Sequence, residues 1–249
     1  MKGYLTSYVG LFDPREDAGP TLTNVEVPLI QRDYAQGREE PRAEEIRRAF
    51  LEVLLESLQG EQAVGLDFVY GRVDSGTLRP LDGQQRLTTL FLLHWYLASR
   101  TGHLDAGATW TRLSYATRPS ARLFCKRLGA NALPPSVSRP SVWITDQIWY
   151  LHVWQHDPTI QAMLVMLDAI AERLSHLDDF DAADAWTRLT DPETPAVWFC
   201  LLPLDDMDSD EDLYIKMNSR GKPLTEFENF KARFEQDLEG SPRHGEFAR

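Results

Sequence analysis

Asp82-Gly83-Gln84-Gln85-Arg86 brings a carboxylate, a glycine, two amides and a guanidinium into five consecutive positions. Glycine between a strand and a helix lets backbone approach a ligand closely, and the free N–H groups of a helix start favour an anion. Phosphate suits such a place. Arg86 adds a planar fork for phosphoryl oxygens, Gln84 and Gln85 add amide donors, and Asp82 either holds magnesium through water or orients the guanidinium. The competing reading is a helix start whose polar residues only satisfy its own backbone, and residue types alone do not separate the two. Asn218-Ser219-Arg220-Gly221-Lys222 places two cations around a glycine before a helix start, which makes a local anion site or an exposed turn. Gln31-Arg32-Asp33-Tyr34 supplies two donors and a ring that can stack on a base, or a surface ion pair of little consequence.

The surrounding pattern decides what presents these groups. Residues 25–30 alternate and are β-branched, so they read as a strand, with Pro28 suited to a sheet edge. Ile46, Ala49, Phe50, Val53, Leu54 and Leu58 recur at spacings of three and four, predicting an amphipathic helix over 42–59. Residues 63–71 and 77–81 form a hairpin around Asp74-Ser75-Gly76, and its second strand runs into Asp82-Gly83. Residues 87–98 are apolar almost all round, which predicts a deeply buried helix. Beyond these come a short strand at 110–115, a helix at 120–128, a Pro-rich loop at 131–140, and helices at 142–155 and 159–176, the last with Asp157-Pro158 at its start. A polar helix over 181–189, an apolar strand over 196–204 and an element at 213–217 follow. Thr225 and Glu228 form a capping box for a final helix.

Composition narrows the function classes. Hydrophobic residues make up 43% and charged residues 26% of the 249, and no apolar run reaches the roughly 20 residues of a membrane helix. The start of the chain lacks a signal-peptide pattern, and Cys125 and Cys200 lie far apart. A cytoplasmic protein with reduced, buried thiols and no membrane partner is the expectation. A net charge of -12 excludes a surface that is basic throughout, so any DNA contact must be local. Arg112, Arg118, Arg122, Lys126, Arg127 and Arg139 form the one basic stretch, read as a polyanion surface or a solvated helix face.

The histidines make no ligand set. His94 lies in an apolar helix as a core residue, and His152 and His156 lack the glutamate of a zinc-peptidase motif, so no zinc is expected. Trp143, Trp149, Trp154, Trp186 and Trp198 read as core or lobe-interface residues, with a cage for a modified base as the sharper alternative.

Four segments in order carry a resemblance: Pro-Leu-Ile-Gln-Arg-Asp-Tyr ending at Tyr34, Leu-Asp-Phe-Val-Tyr-Gly ending at Gly71, Pro-Leu-Asp-Gly-Gln-Gln-Arg-Leu-Thr-Thr-Leu ending at Leu90, and Tyr-Ile-Lys-Met-Asn-Ser-Arg-Gly-Lys-Pro-Leu-Thr-Glu-Phe-Glu-Asn-Phe-Lys-Ala ending at Ala232. Together they resemble the N-terminal domain of GmrSD-type restriction endonucleases, over about residues 25–235. The resemblance implies an α+β fold: a ParB/sulfiredoxin-like mixed sheet with helices over 1–130, and a mainly helical lobe over 131–249 whose Asn-x-Arg-Gly loop closes on the same site. It implies that Asp82, Gly83, Gln84, Gln85 and Arg86 bind a nucleoside triphosphate and take part in its hydrolysis, and the residue types add magnesium, held through water, as one role for Asp82. By the same resemblance Gln31, Arg32, Asn218, Arg220 and Gly221 would line the pocket, and residue chemistry adds Tyr34, Gly83, Ser219 and Lys222 as nucleotide-binding candidates.

Family members act in phage defence on modified DNA, and a separate HNH-type nuclease domain does the cutting. Nothing after Asp237 except His244 offers a nuclease histidine, so this chain is not expected to cut DNA itself. Three readings follow: an NTPase switch domain coupling DNA sensing to the nuclease, a nucleotide or modified-DNA sensor without turnover, and a structural interaction module.

Overall fold

The hairpin pattern becomes two long strands that set the frame for the rest. In a computed structural model, which describes residues 3–13, 19–28, 34–60, 62–177 and 179–204, β3 (Val64–Asp74) turns through Ser75 and Gly76 into antiparallel β4 (Thr77–Asp82). Four more strands, β1 (Tyr4–Thr6), β2 (Asn24–Val27), β5 (Leu113–Tyr115) and β6 (Val197–Pro203), complete a mixed six-stranded sheet in the order β1-β6-β3-β4-β2-β5. β6 is parallel to β3, and β2 is parallel to both β4 and β5, whereas β1 is antiparallel to β6. β2 is therefore interior rather than an edge strand. Pro28 lies just past its end, where a missing N–H costs no ladder bond.

Helices α1 (Pro41–Gln59), α2 (Gln84–Thr101), α3 (Pro119–Gly129), α4 (Pro140–Thr145), α5 (Pro158–Ser175) and α6 (Ala182–Thr190) account for the predicted helical periodicity. The single helix expected over 142–155 is instead α4 followed by a 3-10 turn at His152–His156. α5 starts as predicted: Asp157 accepts from the N–H groups of Thr159 and Ile160, and Pro158 occupies the first turn. Arg188 of α6 donates to the carbonyls of Ser57 and Gly60, satisfying the end of α1.

β6 is buried along its whole length because both faces of the sheet are covered there. Val197, Phe199 and Leu201 face the main core, whereas Cys200 and Leu202 pack with Phe68 on the other side. The main cluster runs without interruption from Tyr8 to Leu201 and includes Leu133, Ile144, Trp154 and Ile160. It crosses residue 130, and β6 from the second half sits between β1 and β3, so this cluster draws on both halves of the described chain. α2 lies at its centre, with fourteen of its eighteen residues buried. Among the described residues, no helix is long and apolar enough to cross a membrane.

Cys125 and Cys200 are both buried and unpaired, and burial raises both thiols, that of Cys200 to about 12. They are inert as nucleophiles. Trp154 and Trp198 are buried, and Trp143, Trp149 and Trp186 pack against the core. On α3 the side chains of Arg122, Lys126 and Arg127 are exposed, while Arg122 also donates to the carbonyls of Tyr115 and Ala116. Arg139 pairs with Asp168 at 3.6 Å.

His94 is packed between Tyr8, Trp110 and Trp186, with ring centroids 4.9–6.1 Å away. Its Nδ1 bonds the Leu90 carbonyl at 2.7 Å, while Nε2 is buried without a partner among the described residues. Burial pushes its pKa down from 6.5 to about 4, partly opposed by the Leu90 carbonyl. The unfolded chain binds the proton at about 6.5 and the folded one only near 4, so this contribution is lost as pH falls through that window. The full loss is about 3 kcal/mol. Urea unfolding at pH 7 and pH 4.5 checks this: His94→Gln is expected to show a pH-dependent loss about 2–3 kcal/mol smaller than the parent chain.

Candidate functional site

Two parallel strands, β2 and β4, deliver their C-terminal ends to the same side of the sheet. β4 ends at Asp82, opposite Tyr70, so the earlier part of β3 continues past it without β4 alongside. At that point the chain turns into α2 through Gly83, whose φ of 84° and ψ of 3° are left-handed. A Cβ there would stand 2.7 Å from Cγ2 of Val69 and 3.3 Å from its Cα. Only glycine fits on both counts. Gly83, the N-cap of α2, has no side chain to cap the helix start, where the positive end of the helix dipole favours an anion.

Arg86 is held by one nitrogen. Its Nη2 donates to the Phe68 carbonyl at 2.8 Å and to Oδ2 of Asp82 at 2.9 Å. Nε and Nη1 have no partner among the described residues, and the side chain keeps 18% of its exposure. Phe68 belongs to the Leu-Asp-Phe-Val-Tyr-Gly segment, so one guanidinium joins two of the sequence motifs. Asp82 is 52% exposed. It orients Arg86 through Oδ2, and Oδ1 remains for a cation or its water.

The two glutamines do different work from the donors expected. Gln84 is buried, and its Nε2 donates to the Pro80 carbonyl. Its Oε1 is then left buried with no donor among the described residues, an arrangement that costs about 1–3 kcal/mol unless a hydroxyl, amine or water fills it. Oε1 of Gln85 accepts from the N–H of Ala35 at 2.8 Å and of Gln36 at 3.4 Å. Gln85 thereby ties the loop after β2 to the first turn of α2.

Tyr34 anchors the same loop. It is 1% exposed, its hydroxyl lies 2.6 Å from Oγ1 of Thr89, and burial raises its pKa above the ordinary tyrosine range. No face of its ring is open for a base to stack on. Its part in the site is to fix the loop. Gly37 lies so close to α5 that a Cβ would overlap the Ala162 carbonyl, and Arg47 of α1, itself buried, donates to the carbonyls of Gln36 and Arg38 at 3.0 Å each. Gln31, Arg32 and the Asn218 to Lys222 loop lie outside the described residues. Leu204, at the end of β6, packs on Leu81, one position from Asp82.

These elements border a cleft of about 1430 Å³. The start of α2 closes one side, the first residues of β3 form another, and one face of α1, with Ile46, Phe50 and Val53, forms the third. Its described charged side chains are Glu56, Asp67, Asp82 and Arg86. Gln36 also lines it. None of Gln36, Ile46, Phe50 and Val53 stood out in the sequence as a site residue. Gln36 carries no motif signal, and the three apolar residues fit the helical periodicity of a core face.

Gly83→Ala is expected to cost about 1–3 kcal/mol, from left-handed strain and the Val69 overlap, and to disturb the start of α2. Denaturant unfolding measures the loss. An unchanged midpoint would mean that the junction tolerates a side chain.

Among curated proteins no match is found. A family model described as the GmrSD restriction endonuclease, N-terminal domain, matches residues 12–235. That range covers most of the chain and takes in β2, the β3–β4 hairpin and α2, which carry the junction just described. This protein belongs to the GmrSD restriction endonuclease N-terminal domain family.

Proposed function

We propose that this domain binds a nucleoside triphosphate with its phosphates at the start of α2, and that it hydrolyses the nucleotide slowly as part of a switch. The observation that carries this reading is Arg86, fixed through Nη2 with Nε and Nη1 uncommitted beside an uncapped helix start. A guanidinium set in place before the ligand arrives stabilises phosphoryl charge without reorganising at the moment of reaction. Asp82 fits a magnesium site, since Oδ1 has no partner among the described residues and the carboxylate is half exposed. A cation is needed. Three carboxylates and one guanidinium are the described charges of the cleft, and a bare polyphosphate would be repelled. Arg32, Arg220 and Lys222 would add positive charge.

The family assignment supports a place in a restriction system, with DNA and a nuclease domain as partners. The sheet, with a helix leaving the end of a strand through a glycine, suits a ParB/sulfiredoxin-like core. A local DNA contact would fall on the exposed Arg122, Lys126 and Arg127 of α3. Sensing without turnover is the second reading. It is favoured by the engagement of Asp82, Gln84 and Gln85 in bonds within the protein, which turns these motif side chains to holding the site together.

Phosphate release and thermal melts of the full chain with ATP, GTP, CTP and UTP test both readings. A nucleotide at 100 times its dissociation constant adds about 2.7 kcal/mol, a shift of roughly 5–10 °C for a domain of this size. Turnover that requires magnesium and drops at least about tenfold in both Arg86→Ala and Arg86→Lys supports the switch, because lysine keeps the charge but not the fork. A thermal shift without phosphate release supports the sensor. Neither response to any triphosphate overturns the proposal.

A further inference from the structure

α1 carries two apolar stripes where a helix on the surface of a core needs one. Each residue advances about 100° around the helix, so Leu51, Leu54, Leu55 and Leu58 form one stripe, and it is buried in the core. Ile46, Phe50 and Val53 form a second, roughly 120° away. Ile46 is 49% and Val53 43% exposed, and Phe50 is partly buried. Single exposed apolar residues need no explanation. These three share a row, and the row forms one wall of the cleft whose far end is the start of α2.

Gln36 stands between that wall and α2. Thr89 donates to its Oε1 at 2.6 Å, Arg47 of α1 donates to its main-chain carbonyl, and Gln85 of α2 accepts from its main-chain N–H. The amide is thus turned so that Nε2, a pure donor, has no partner among the described residues. Gln84, whose Oε1 is buried without a donor among the described residues, lines the same cleft.

We infer that the Ile46, Phe50 and Val53 stripe is the nucleobase subsite of the nucleotide held at α2, with Nε2 of Gln36 donating to an acceptor on the nucleoside. The subsite rests on the nucleotide reading above. A ligand that is apolar and flat at one end and anionic at the other matches a cleft with an apolar wall and a helix start. The stripe spans about 10 Å along the helix axis, the length of a base and its sugar. Three side chains in one row are far too small a surface for a stable protein interface.

Calorimetric binding of the full chain to magnesium tripolyphosphate and to ATP, GTP, CTP and UTP decides the matter. The tightest of the four nucleotides is expected to bind at least about tenfold more tightly than tripolyphosphate. The double substitution Ile46→Ser with Val53→Ser, at two exposed positions, should remove about that tenfold while leaving tripolyphosphate binding and the melting temperature unchanged. Gln36→Leu should narrow the spread among the four nucleotides. Equal binding of nucleotide and tripolyphosphate, or a double variant that weakens both alike or neither, overturns the subsite. The phosphate site survives that result if Arg86→Ala still weakens both ligands. Failure of every ligand to bind overturns the nucleotide reading and the subsite together.

Discussion

The left-handed turn at Gly83 is the constraint on which the site depends. β4 must stop opposite Tyr70 and the chain must leave the sheet at once, or α2 would not start above the continuing part of β3. The contact with Val69 sets how closely the helix start approaches that strand. Given this approach, Arg86 reaches the Phe68 carbonyl and Asp82 can orient it. The same placement puts Gln85 and Thr89 where they hold the loop of Tyr34 and Gln36. One backbone conformation thus brings three separate stretches of sequence to one end of a helix.

Rigidity comes from the core rather than from the site. α2 is buried almost all round, and its two threonines, Thr88 and Thr89, turn their hydroxyls onto Tyr115 and Tyr34. A helix so enclosed cannot shift to meet a ligand, so its first turn has a fixed geometry. α1 is tied at one end by Arg47 to the Gln36 loop and at the other by Arg188 of α6. The cleft is bounded by elements that the core holds in place.

Much of this arrangement was legible in the sequence. The hairpin around Asp74-Ser75-Gly76, the strand running into Asp82-Gly83, the buried helix after it and the Asp157-Pro158 start of α5 all follow from local rules, because turn chemistry and periodicity act over a few residues. Other features depend on the tertiary structure and left no local trace. β1 is three residues long and is a strand because β6 lies beside it. Pro28 suggested an edge, yet β5 covers that side of β2. Periodicity grouped Ile46, Phe50 and Val53 with the core leucines of α1, since spacings of three and four do not distinguish one broad stripe from two. The glutamines looked like ligand donors because their type permits it. Which atom of each amide is already engaged depends on the main chain at Pro80 and Ala35, whose positions the tertiary structure sets.

A structure of the full chain with a magnesium triphosphate tests the central claim most directly. Phosphate oxygens are expected within about 3 Å of the first-turn amides of α2 and of Nε or Nη1 of Arg86, with Gly83 unchanged. A triphosphate bound elsewhere, with Arg86 still turned only to Asp82 and Phe68, would contradict it.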